Sequence, residues 1–228
     1  MMWAVLPIKD LSEAKQRLAP VLAPHERRRL FAAMVEDVLA ALARTPALDD
    51  ILVVTRDPAA ARLASHYGAR VLPEAENRGQ TSAVAAAAAE LAAAHVDAML
   101  AVPGDVPLIT REEIEAVLAA HDAATAMTPA MTIVPAWDRR GSNCLLCSPP
   151  GLIPFAFGND SFQPHLAAAR AAGVEPRIVP LPGIGLDIDN PADLRMLLAR
   201  PAETRCHAFL AESGIAARLA AEPDIAKG

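Results

Sequence analysis

Short apolar runs alternate along the chain with longer stretches whose apolar positions recur every third or fourth residue. The first run, Trp3 to Ile8, ends at Lys9 and Asp10 and predicts a buried strand. Leu11 to Leu22 and Pro24 to Leu42 carry helical spacing. In the second of these, Leu30, Met34, Val38 and Leu42 form one ridge, and Phe31, Val35 and Leu39 the next. Ile51 to Thr55 predicts a second strand, Pro58 to Tyr67 a helix stopped by Gly68, and Ala69 to Leu72 a third strand. A polar stretch from Glu74 to Ser82 then precedes an alanine-rich helix from Ala83 to near His95. Ala98 to Val102 is a strand, Arg111 to His121 a helix, and further strands are predicted within Met127 to Pro135 and at Asn143 to Cys147. Ser161 to Ala172 is helical, Arg177 to Leu181 a strand, and Gly185 to Asp189 short and extended. Asn190 and Pro191, suited to the N-cap and the first helical position, open a helix through Leu198.

This alternation predicts a single-domain α/β protein of three layers, with helices on both faces of a mainly parallel, Rossmann-like sheet. Residues 1–200 hold the pattern, and 201–228 read as a C-terminal helical extension of the same domain. Such sheets bind ligands beyond the carboxyl ends of their strands. The residues that follow each strand are therefore where chemistry is expected.

Composition narrows the functional classes. With 228 residues, 53% of them hydrophobic, the chain can bury one sizeable core. The net charge of −6 leaves no basic surface for extended nucleic-acid binding, and the longest basic run, Arg27-Arg28-Arg29, falls in a helical pattern as a solvated face. The opening apolar stretch is too short, and lacks the preceding basic region, for a signal peptide or a membrane span. Three cysteines give no disulfide framework, so a cytoplasmic, reducing compartment is expected. Cys144 and Cys147 have C-x-x-C spacing, but on a strand they face opposite sides and read as buried thiols.

Three groups of polar residues carry candidate chemistry. Asp105 follows a strand directly, and Asp187 and Asp189 flank Ile188 so that both carboxylates face one volume while the isoleucine points into the core. Three converging carboxylates would raise one another's pKa unless a hard cation joined them, and Mg²⁺ suits carboxylates plus phosphate oxygens. The second group is basic: Lys9 ends the first strand, and Lys15 and Arg17 follow it toward one phosphate-binding pocket. The third mixes glycine with hydroxyl and amide groups, in Asp138-Arg139-Arg140-Gly141-Ser142-Asn143 and in Phe157-Gly158-Asn159-Asp160-Ser161. Gly158 allows close backbone approach, and Ser161 at a helix start leaves N–H donors for an anion. His165 reads as a hydrogen-bonded structural residue, with proton transfer as the alternative. There is neither a GxxxxGK[ST] loop nor a GxGxxG after the first strand, which disfavours P-loop and dinucleotide-binding enzymes.

Pro7-Ile8-Lys9 with Lys15-Gln16-Arg17, Gly104-Asp105-Val106-Pro107, Gly141-Ser142-Asn143, Phe157-Gly158 with Ser161, Phe162 and His165, and Asp187-Ile188-Asp189 together resemble, in order over residues 3–199, the 2-phospho-L-lactate guanylyltransferase family. The resemblance implies a nucleotide-diphospho-sugar transferase type of fold. It also implies a Mg²⁺-dependent reaction of GTP with a small phosphorylated acid in coenzyme F-420 biosynthesis. The acid would be 2-phospho-L-lactate, phosphoenolpyruvate or 3-phospho-D-glycerate. By position, Asp105, Asp187 and Asp189 would hold the metal, with Lys9 and Asp105 catalytic. Lys15, Arg17, Gly79, Thr81, Gly104 and Asp105 would serve the nucleotide, and Lys9, Ser142, Asn143, Gly158 and Ser161 the acid. Two departures stand out: the first loop reads Pro-Ile-Lys where molybdenum-cofactor guanylyltransferases are glycine-rich, and Gly79-Gln80-Thr81 replaces the common Gly-Leu-Asn. Sugar-phosphate or molybdopterin nucleotidyl transfer, nucleotide-sugar glycosyl transfer and a non-catalytic nucleotide-binding module stay open, as does assembly as a homodimer.

Overall fold

Successive residues of a strand face opposite sides of a sheet, and the first strand shows both sides buried. Ala4, Leu6 and Ile8 pack into one core and Val5 into another. This double burial is what a helix-covered parallel sheet requires. The computed structural model of the chain describes residues 1–76, 78–122, 128–158 and 160–221. Its elements run β1 (Met2–Pro7), α1 (Pro24–Ala43), β2 (Asp50–Thr55), α2 (Pro58–His66), β3 (Arg70–Pro73), α3 (Gln80–Ala93), β4 (Ala98–Ala101) and α4 (Arg111–Asp122). They continue with β5 (Ala130–Pro135), β6 (Ser142–Ser148), α5 (Phe162–Ala171), β7 (Arg177–Ile178), α6 (Pro191–Leu198), α7 (Arg205–Glu212) and α8 (Ile215–Ala221).

Among the described residues, seven strands form one sheet in the order β3-β2-β1-β4-β6-β5-β7. All neighbours are parallel except β6, which runs antiparallel to both β4 and β5. Residues of α1, α4 and α6 share a core with one face of the sheet; α3 covers the other face at β1, β2 and β4, and α5 covers it at β5 and β6. Cys144 and Cys147 are buried on opposite faces, as their spacing on a strand requires. Beyond α6, the Asp37 carboxylate on α1 accepts the Arg205 and Cys206 N–H groups that open α7, at 2.8 and 2.9 Å. No helix among the described residues is long and apolar enough to cross a membrane.

Several elements differ from the sequence expectation, each for a local reason. Leu11 to Leu22 is a run of turns with a 3-10 helix only at Gln16–Leu18. Its start is held by the Asp57 carboxylate, which accepts the Leu11 N–H at 2.8 Å, and Lys15 is left-handed at φ 57°. Arg27, expected on a solvated face, is buried and donates to the Leu22 carbonyl at 2.8 Å, tying this loop to α1. Helix α3 starts at Gln80, because Gly79 at φ 90° supplies the turn that precedes it. β7 covers only Arg177–Ile178, and Pro180 beyond it has no N–H with which to extend the ladder. The segment from Gly185 to Asp189 is not paired as a strand; the Ile188 N–H reaches the Asp105 carbonyl at 3.0 Å. Met127, the first residue of the range expected to contain a strand, Asn159 of the stretch expected to bind an anion, and residues 222–228 of the extension lie outside the described residues.

Candidate active site

The chain runs from β1 outward through β2 to β3, then returns to place β4 on the other side of β1. The loops leaving β1 and β4 lead to α1 and α4 on one face of the sheet, and with the start of α3 on the other face they bound a crevice at the strands' carboxyl ends. Lys9 to Arg17 occupy the loop after β1, and Pro103, Gly104 and Asp105 the loop after β4. Gly104 lies against α1, where a side-chain carbon would sit 3.0 Å from Val35 Cγ2. Asp187 and Asp189 reach the same crevice because their segment is fixed from both ends. The Glu113 carboxylate accepts the Gly183 and Ile184 N–H groups at 2.7 and 2.8 Å. Downstream, Asn190 caps α6 while Asp193 accepts the Asp189 and Asn190 N–H groups, both at 2.9 Å. Ile188 is fully buried between the two aspartates.

At the centre stands Lys15, whose side chain is only 6% exposed. Its Nζ donates to Asp105 Oδ2 at 2.5 Å and to Asp189 Oδ1 at 2.8 Å. Arg17 Nη1 approaches the second Asp189 oxygen at 3.5 Å. Burial works against the Lys15 charge, but the two carboxylates outweigh it and hold the ammonium above its ordinary pKa. Burial likewise opposes the Asp189 charge, yet Lys15, Arg17 and Lys9 keep that carboxyl below the usual carboxylate range. Asp187 goes the other way: burial, then the nearby Asp105 charge, push it up to about 6 despite a hydrogen bond from Asn143 Nδ2 at 3.0 Å. Asp105 Oδ1 is buried and has no hydrogen-bond partner among the described residues. No three acidic, histidine or cysteine side chains among them form a preassembled metal cage.

Two clefts meet at this centre. One, of about 410 Å³, is lined on the α3 side by Glu74, Gly79, Gln80 and Ala83. The other, of about 520 Å³, is walled by Trp137, Arg140, Gly141, Phe157, Gly158 and Asp187. Lys9, Arg17, Gln80, Pro103, Asp105 and Asp189 belong to both. All three aspartates, Lys9, Arg17, Gly79, Gly104 and Gly158 thus line the crevice, whereas the hydroxyl of Thr81 is turned to the Phe157 carbonyl at 3.3 Å.

Ser142, Asn143 and Ser161, expected to offer side chains to the acid, line the second cleft but are buried and occupied by the protein. Ser161 Oγ accepts the Ser142 N–H at 3.0 Å, and Asn143 Nδ2 donates to the Ile184 carbonyl and to Asp187. His165 closes this network: its Nε2 accepts the Ala156 N–H at 2.9 Å, so a neutral ring carries its proton on Nδ1, 2.9 Å from Ser142 Oγ. Burial lowers its pKa to about 4. His165 is therefore a neutral brace of the second cleft at physiological pH. Gln80 and Glu113 were missed in the sequence, whereas His165 is the hydrogen-bonded structural residue expected there. Gln80 had a signal, since it adjoins Gly79 in a polar stretch; Glu113 sits in an ordinary helical pattern and had none.

Residues 2–226 match the family model described as Guanylyl transferase CofC like. The chain is 40% identical over 199 residues to the phosphoenolpyruvate guanylyltransferase of Conexibacter woesei, covering 86% of each chain. It is 33% identical over 193 residues to the 3-phospho-D-glycerate guanylyltransferase of Colwellia psychrerythraea, covering 85% of this chain and 89% of that one. In fold it is similar to a Desulfovibrio desulfuricans G20 protein assigned as a nucleotide-diphospho-sugar transferase (TM-score 0.76, 17% identity, 96% of this chain and 97% of that one). It is also similar to a nucleotidyl transferase from Methanothermobacter (TM-score 0.65, 16% identity, 93% and 99%).

Proposed function

The chain belongs to the guanylyl transferases described as CofC like, and on that premise we propose that it joins GTP to a small phosphorylated acid, with release of pyrophosphate, in coenzyme F-420 biosynthesis. The acids named for its relatives are phosphoenolpyruvate and 3-phospho-D-glycerate; 2-phospho-L-lactate is the third candidate. The observation that carries this reading is the pair of clefts converging on one charged wall. A two-substrate group transfer needs that arrangement. The nucleotide takes the cleft along α3 and the acid takes the more polar cleft beside Gly158.

In the reaction a phosphate oxygen of the acid attacks the α-phosphorus of GTP in line. A new P–O bond forms, the bond to the β-phosphate oxygen breaks, and pyrophosphate departs with its electron pair. The attacking phosphate is already an anion, so no strong general base is needed, and His165, neutral and buried, supplies none. What must be overcome is repulsion between anions: two unit charges 4 Å apart cost about 4 kcal/mol at an effective dielectric of 20. Lys9 and Arg17, on the wall common to both clefts, offset part of it, and holding both substrates in line supplies much of the rest.

Asp105, Asp187 and Asp189 are the residues that would hold Mg²⁺. The buried, unpartnered Asp105 Oδ1 and the raised pKa of Asp187 both fit a cation's place. Bound there, Mg²⁺ supplies charge neutralisation at the phosphates. The test is a pyrophosphate-release matrix of four nucleoside triphosphates against the three acids, with Mg²⁺ and with EDTA. Release confined to GTP with one of these acids, and lost in EDTA, is expected. No release from any combination would overturn the reading.

A further inference from the structure

The ammonium of Lys15 stands between two carboxylates that would ligate a cation, and it would compete with that cation for Asp105 Oδ2 and Asp189 Oδ1. Its contacts at 2.5 and 2.8 Å use one oxygen each of Asp105 and Asp189. Its stem is buried, and its Nζ lies 5.7 Å from the Phe31 ring centroid. The backbone beneath it is in the left-handed region, at φ 57° and ψ 41°, which a lysine adopts only under constraint. A buried charge pair of this kind is strongly held while both partners remain, and breaking it without a substitute is costly.

From this we infer that Lys15 is an internal counter-ion that keeps the carboxylates neutralised in the substrate-free protein and excludes a free divalent cation from them. The cation enters together with a triphosphate, because Lys15 lines the cleft assigned to the nucleotide and not the one assigned to the acid, so it is the triphosphate that offers the displaced ammonium new anionic partners. Lys15 therefore makes metal and nucleotide binding mutually dependent. It exchanges two carboxylate oxygens for phosphate oxygens as the loop of residues 11–18 relaxes. The inference rests on the crevice being the nucleotide and Mg²⁺ site.

The test uses Mn²⁺ as the probe, with free ion followed by electron paramagnetic resonance, on the wild-type chain and on Lys15→Met. Without nucleotide, the variant should bind Mn²⁺ at least about 10-fold more tightly than wild type, because the competing ammonium is gone. Lys15→Arg, which restores the charge, should bind it as weakly as wild type. Circular dichroism verifies folding, and Lys15→Gln takes the place of the methionine variant should that one not fold. Calorimetry of the Mn²⁺ complex of a non-hydrolysable GTP analogue is run alongside on wild type. Equal or weaker Mn²⁺ affinity in Lys15→Met, with the analogue complex still bound by wild type, overturns the counter-ion role and leaves the functional reading intact. Failure of wild type to bind the analogue complex overturns both.

Discussion

His165 offers a test of the second cleft's architecture that does not depend on any ligand. Its ring is fully buried, its Nε2 accepts the Ala156 N–H, and its Nδ1 faces Ser142 Oγ. The folded pKa is about 4, against 6.5 for an unperturbed histidine. In the sign of the linkage, the unfolded chain takes up a proton below pH 6.5 that the folded chain refuses until near pH 4. The contribution is complete above pH 6.5 and is lost as pH falls. The full difference corresponds to roughly 3 kcal/mol, and about 2 kcal/mol of it is already gone at pH 5. Other groups titrate over the same window. Asp187, pushed up to about 6, works in the opposite direction, since its folded form gains a proton first. A difference against His165→Gln cancels these. The glutamine keeps an acceptor for Ala156 and has no charge to gain. Urea unfolding of both proteins at intervals from pH 7.5 to 5 should show wild type losing about 2 kcal/mol relative to the variant. A flat difference across that range would refute the burial argument and, with it, the description of His165 as a neutral brace.

Other outcomes follow from the same geometry. Asp105→Asn and Asp189→Asn should each keep the fold while Mg²⁺-dependent pyrophosphate release falls at least about 100-fold; full activity in either would remove that residue from the site. Lys9→Ala should lower kcat/KM by about 10-fold or more in the same assay, since an exposed cation facing both clefts is lost. Gly183→Ala would place a carbon 2.2 Å from the Leu108 carbonyl oxygen and 2.5 Å from Glu113 Oε2. It should cost at least about 2 kcal/mol in urea unfolding, because the nearest obstacle is backbone. Gly104→Ala, whose nearest neighbour is a valine methyl at 3.0 Å, should cost clearly less.

Much of the architecture was legible because it rests on local apolar spacing. Strands buried on both faces leave continuous runs such as Ile51 to Val54, and the helices between them leave ridges. Once the sheet was expected to be parallel, the strand ends were the places to inspect. That put Lys9 and Asp105 in view. Asp187 and Asp189 were legible for a related reason: alternation around a buried residue holds in extended chain even without a sheet partner, and Ile188 is indeed buried. The loop after β1 was misread by the same rule. Leu11, Ala14, Leu18 and Leu22 have helical spacing, yet Asp57 anchors the loop's start and Asp105 and Asp189 pull Lys15 to the centre.

That misreading bears on how such sites are built. A lysine on a regular helix there would have presented its charge at fixed pitch, whereas a left-handed residue ahead of a 3-10 turn delivers it to carboxylates 90 and 174 residues away in sequence. The opposite assignment holds for Ser142, Asn143 and Ser161. Their residue types suggested ligand contacts, but burial leaves their polar atoms no water, so they must be satisfied inside the protein. They accordingly pair with one another, with His165 and with Asp187. On the proposed placement of the acid, what they would offer it is the shape of the wall and the backbone of Gly158 beside it. Spacing can show which side chains reach a strand end. Whether a polar group there is spent on the protein or free for a ligand depends on burial, which is set by elements far along the chain.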